Sequence, residues 1–137
     1  MTPATLPTAP AGKLVILLAG LAPDDAEGCV MPFVYAAVAA AMDCEVEVHF
    51  TARAVRLLVD GVAAALDPAH PDGKSVHDHM REAAALGVRF LACSRAARAH
   101  VGAGEAWIAE FSGAGDTAGA ASFIMRCVDP EWRSLVF

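Results

Sequence analysis

The chain has 137 residues, a formal net charge of −6 and a hydrophobic content of 56%. That length suits one domain with a real core. The acidic balance argues against a nucleic-acid partner, which wants a basic face, and no segment approaches the roughly 20 apolar residues that span a bilayer.

Residues 1–12 are rich in Thr, Pro and Ala and read as a disordered leader, with a single domain expected over 13–137. A signal peptide is a weak match here. Its only positive charge would be Lys13, and cleavage would remove the best first strand, the apolar run Lys13–Ala19. Such a continuous run suits a strand covered on both faces in a parallel sheet. Gly20–Glu27 is an acidic loop. Cys29–Met42 then carries no charged residue and favours a helix that is apolar all round. Pro32 belongs near a first turn, so the helix is expected to begin near Gly28 or Cys29. One face covers the sheet, and the other is expected at a subunit interface.

Glu45–Phe50 alternates as a strand, with Val46, Val48 and Phe50 on one face and Glu45, Glu47 and His49 on the other. Thr51 is placed to cap a helix from Ala52 to Leu66, weakened midway by Gly61. Asp67–Lys74 is a loop. Ser75 and Asp78 resemble a capping box opening a helix that Gly87 stops after Leu86. Val88–Cys93 reads as a short buried strand, and Ser94 opens an Ala/Arg-rich helix. Gly102–Gly119 is glycine-rich, Thr117–Val128 is a last helix stopped by Asp129-Pro130, and Trp132–Phe137 is a terminal strand. Alternation of this kind implies an α/β fold, a parallel sheet with helices on both faces.

The candidate chemistry centres on Cys93. A thiol at a strand-to-helix junction meets free backbone N–H groups and a helix dipole, which favour the thiolate. Arg95 and Arg98 add positive charge, and Ser94 is placed to donate to the sulfur. Cys29, near another helix start, is a second candidate thiol at the same sheet edge. The four cysteines lack Cys-x-x-Cys spacing and read as reduced cytoplasmic thiols rather than zinc ligands or disulfides. Cys44 and Cys127 read as packing residues.

Other constellations fail. The loop after the first strand, Ala19-Gly20-Leu21-Ala22-Pro23, is no dinucleotide fingerprint, and Gly113-Ala-Gly115-Asp-Thr-Ala-Gly119 has the wrong spacing. A receiver domain needs an aspartate where Cys93 stands. His77 and His79 point about 200° apart on a helix and cannot share an ion, while His70 lies in a loop. These histidines read as solvated, and neither metal nor cofactor is expected.

Four segments taken in order carry a resemblance: Lys-Leu-Val-Ile-Leu-Leu-Ala from Lys13, Glu-Val-His-Phe-Thr (47–51), Gly-Val-Arg-Phe-Leu-Ala-Cys-Ser (87–94), and Ala-Gly-Ala-Ala-Ser-Phe (118–123) with the strand ending at Phe137. With them the chain resembles the DsrE/DsrF-like family, small α/β proteins linked to bacterial sulfur relay. The resemblance implies a three-layer α/β/α sandwich around a five-stranded, mainly parallel sheet, assembled as trimers or hexamers. It further implies that a cysteine matching Cys93 carries sulfur as a persulfide. The expectation is therefore a sulfur carrier or sulfurtransferase-like protein centred on Cys93, with Ser94 and Arg95 stabilising the anion and Cys29 or His49 as resolving thiol or acid/base. Its partners would be other copies of itself and a sulfur donor or acceptor protein. The alternative is a non-catalytic oligomeric module, binding a small ligand or building an assembly, in which Cys93 is packing.

Overall fold

A computed structural model describes residues 12–68, 72–111 and 117–137. Residues 1–11 of the predicted leader, His70 and the glycine pair Gly113 and Gly115 lie outside these residues.

The alternating sequence folds as an α/β unit. Strand β1 (Lys13–Leu18) leads to helix α1 (Ala26–Ala41), β2 (Glu45–Phe50), two 3-10 turns (Ala52–Leu58 and Ala63–Ala65), α2 (Val76–Ala85), β3 (Arg89–Cys93), α3 (Ser94–His100), β4 (Thr117–Ala118), α4 (Ala120–Val128) and β5 (Trp132–Val136). The sheet order is β4-β3-β2-β1-β5, and all pairings are parallel. Four strands have five or six residues. The other expected strand amounts to the two residues of β4, paired at Ala92↔Thr117 and Cys93↔Ala118.

The two sheet faces are covered unequally. On one, Ile16, Leu18, Val46, Val48, Phe50, Phe90 and Ala92 form the main core with Cys29, Phe33 and Ala36 of α1 and Val76, Met80 and Ala83 of α2. Phe33, Phe50 and Phe90 pack there with ring centroids 5.5 to 5.9 Å apart. Against the other face lies α4, which has no buried residue of its own. Glu47 and His49 of β2 point to this second side, as the alternation requires.

Three element boundaries differ from the sequence reading. Helix α1 starts at Ala26, not near Gly28, because the Asp25 side chain accepts from the Gly28 N–H at 3.0 Å and caps it. Pro32 therefore sits inside the helix and is buried. No helix runs from Ala52 to Leu66. Residues 58–60 pair instead with 106–108, through Ile108 N–H to Leu58 C=O at 2.9 Å and Asp60 N–H to Ala106 C=O at 2.8 Å. Ala52 (φ 49°) at the start of that segment and Gly61 (φ 88°) midway along it adopt left-handed backbone. The last helix begins at Ala120, because Thr117 and Ala118 are spent on the sheet edge.

The Ser75 capping box forms as read. The Ser75 side chain accepts from the Asp78 N–H, and the Asp78 carboxylate accepts from the Ser75 N–H at 2.9 Å. Among the described residues, no helix is long and apolar enough to cross a membrane.

Candidate functional site

Strand alternation assembles the site. Glu47, His49 and then Thr51 follow one another on the α4 side of β2 and its carboxyl end. Arg89, Leu91 and Cys93 do the same on β3, which pairs Glu47↔Arg89 and His49↔Leu91. Cys93 is the last residue of β3 and the N-cap of α3, in extended conformation. That is the carboxyl edge of a parallel sheet, where α/β folds bind ligands.

The Cys93 thiol is partly buried. Burial alone would raise its pKa. The Ala96 N–H, the Thr51 hydroxyl, the Arg95 N–H and the Arg95 charge outweigh this and bring it below the ordinary thiol value. Helix α3 supplies two of those donors because its first N–H groups have no partner within the helix.

Among the described residues, two clefts open on Cys93. One, of about 300 Å³, is walled by Leu17, His49, Thr51, Ala118, Phe123 and Ile124 and is predominantly apolar. The other, of about 310 Å³, is bordered by Thr51, Ala52, Arg95, Ala96, Ala99 and His100 and carries basic groups. Thr51 and Cys93 belong to both.

The candidates from sequence separate here. Arg95 borders the basic cleft and acts electrostatically on the sulfur, whereas Arg98 is not among the groups that shift it. Ser94 lies beside Cys93 but is not the hydroxyl donor. That role belongs to Thr51, which makes no cap hydrogen bond to the 3-10 turn it precedes. The sequence reading took Thr51 for a cap, since only the β2–β3 pairing brings it beside Cys93.

His49 lines the apolar cleft with Cys93, and its buried ring meets the edge of Phe123 at 5.9 Å. Its Nε2 lies 3.1 Å from Glu47 Oε1. Cys29 does not fit the role of resolving thiol. It is fully buried, lines neither cleft at Cys93, and donates from Sγ to the Ala22 carbonyl at 3.3 Å. Burial, with Asp25 and Asp24 nearby, pushes its pKa up to about 11, so the thiol stays protonated.

Cys44 is half-buried ahead of β2, while Cys127 is exposed rather than packed. His77 is not simply solvated, because it pairs with Glu110 and packs against Phe111 at 5.4 Å. His79 borders a separate cleft with Glu27 and Asp72.

The model of the DsrE/DsrF-like family covers residues 13–122, from β1 into the first turn of α4. The matched span includes Glu47, His49, Thr51, Cys93 and Arg95 and ends before Phe123 and Arg126. No curated protein matches the chain.

Proposed function

Since the chain belongs to the DsrE/DsrF-like family, we propose that it is a sulfur carrier, or sulfurtransferase-like protein, that holds sulfane sulfur as a persulfide on Cys93. The observation carrying this reading is the junction thiol, biased toward thiolate by Ala96, Thr51 and Arg95 and open to two clefts. The thiolate attacks the sulfane sulfur of a donor, the donor's S–S bond breaks, and its remainder leaves with the electron pair. An acceptor thiolate then attacks the outer sulfur, and Cys93 leaves as thiolate. No net oxidant or reductant is required.

The basic cleft at Arg95 and His100 suits an anionic donor such as thiosulfate. The apolar cleft, with His49 in its wall, suits an acceptor thiol and gives His49 the acid/base role. A free thiol of this kind belongs in a reducing compartment, and we place the protein in the cytoplasm. Incubation with thiosulfate or polysulfide is expected to add about 32 Da, one sulfur, to the wild type. A Cys93→Ser protein that gained the same mass as readily would sink the reading.

A second reading, an oligomeric assembly module with Cys93 passive, draws on the exposed apolar residues of α1 and α4. Thiol titration separates the two: a Cys93 that reacts no faster than free cysteine at neutral pH favours the module. Self-association is compatible with both, and we propose a homo-oligomer.

A further inference from the structure

Among the described residues, Glu47 and His49 are the polar or charged side chains that are buried, at 4% and 5% exposure. A buried carboxylate survives as a charge only when it is paired and hydrogen-bonded. Arg126 of α4 does both. Its Nη2 donates to Glu47 Oε2 at 3.0 Å and its Nε to Oε1 at 3.3 Å. The guanidinium also stacks on Trp132 of β5, 4.4 Å from the ring centroid. Burial opposes the charge on Glu47, but Arg126 and His49 together hold its carboxyl below the ordinary value, so it is ionised at neutral pH.

A staple joining α4, β2 and β5 would be complete with Arg126, Glu47 and Trp132. The added member is His49. An ionised carboxylate only accepts, so at 3.1 Å from Glu47 Oε1 the His49 Nε2 must carry the hydrogen. A neutral ring then keeps its lone pair on Nδ1. Among the described residues Nδ1 makes no hydrogen bond, and no sealed side-chain nitrogen or oxygen lacks a partner. Nδ1 is therefore not sealed, and the ring lines two clefts, one of them shared with Cys93.

The same cleft creates a need for a base. A thiol entering between Leu17, Phe123 and Ile124 is desolvated, which keeps it protonated and a poor nucleophile. The charged and titratable groups around His49 are Glu47 on its own strand, Arg126 from α4, and Arg89 and Cys93 from β3, while β1 presents Leu17.

We infer that Glu47, held by Arg126, is a positioning residue that fixes His49 in the Nε2–H form and so makes Nδ1 the proton acceptor for the thiol that collects sulfur from Cys93. The role rests on the sulfur-carrier reading. The acceptor thiol gives its proton to Nδ1, and the resulting thiolate attacks the outer sulfur of the Cys93 persulfide. A new S–S bond forms, the Cys93 S–S bond breaks, and Cys93 departs as the thiolate that Thr51 and the α3 N–H groups stabilise. The imidazolium, steadied by Glu47, releases its proton to solvent.

The experiment loads Cys93 with thiosulfate, removes the donor, adds 2-mercaptoethanol and follows loss of the extra sulfur by mass spectrometry across pH. Glu47→Gln is expected to load as the wild type does but to deliver roughly tenfold or more slowly. Its pH profile should differ from that of the wild type, because the Glu47 charge beside the ring is gone. Ring ¹⁵N shifts of wild-type His49, which need no variant, are expected to report the Nε2–H form. A Cys93 that never loads overturns the carrier reading itself. A Glu47→Gln protein that loads and delivers with the wild-type rate and profile, even if it melts earlier, overturns the positioning role alone, as does an Nδ1–H ring in the wild type.

Discussion

Thr51 illustrates how much a single side chain at Cys93 depends on the fold. Its hydroxyl is one of the groups that lower the thiol pKa, and Thr51→Val removes it at nearly constant volume. A hydrogen bond to a charged group is worth enough to move the midpoint of Cys93 alkylation by iodoacetamide up by about one pH unit. Thr51→Ser should keep the wild-type profile. An unchanged midpoint in Thr51→Val would remove Thr51 from the site. Cys93 and Arg95 were legible in the sequence because a strand-to-helix junction leaves a local signature. Thr51 was not, because 42 positions of chain separate it from Cys93 and the parallel β2–β3 register alone joins them. The misreading of Cys29 has a different origin. A position near a helix start suggested a reactive thiol, but complete burial beside Asp24 and Asp25 reverses the sign of the shift.

Among the elements, β1, β2, β3 and β5 were the most legible, since period-two alternation assigns the faces of Glu45–Phe50 and continuous apolar runs mark β1 and β3 as buried strands. The stretch after β2 was not. Its apolar positions fit a helix, yet its backbone pairs with 106–108, and tertiary pairing of this kind overrides local propensity. Glu105 helps hold that arrangement. It accepts from the Arg56 guanidinium at 2.8 and 2.9 Å and from the Gly102 N–H at 2.8 Å, while Arg56 also donates to the His100 carbonyl at the end of α3. Arg56 and then Gly102 hold the Glu105 carboxyl at about 2 against an ordinary 4.5. A folded-state pKa lowered in this way contributes stability that is complete above the unfolded value and is lost as pH falls through the folded one. Wild type should therefore lose stability between pH 4.5 and about 2 more steeply than Glu105→Gln, as read by urea denaturation at a series of pH values. The difference is small because the pair is about one-third exposed. Parallel slopes would show that the pair contributes nothing.

At the scale of the whole molecule, the uncharged run Cys29–Met42 was the signal for association, and the structure divides the surface of α1 cleanly. Cys29, Phe33 and Ala36 face the core, while Met31, Tyr35, Val38 and Met42 remain exposed at the spacing of one helical stripe. A second apolar surface was not foreseen, because the exposure of α4, which has no buried residue, is visible only in the fold. Ile124, Met125 and Val128 are exposed there, with Leu135 and Val136 on β5. Isolated exposed apolar residues are normal in a soluble chain, but stripes and clusters of them mark interaction surfaces. Light scattering at micromolar concentration is expected to give an oligomer. Val38→Glu and Met125→Glu test the two surfaces separately. Each side chain is more than half exposed, so the charge should leave the fold intact by circular dichroism and far-from-core substitutions should cost little stability. The variant that lowers the oligomer mass identifies the surface in use, and because Ile124 also lines the Cys93 cleft, involvement of α4 would tie the site's outer wall to assembly. A wild-type monomer at that concentration would remove association from the argument and leave Cys93 chemistry to stand on the single chain.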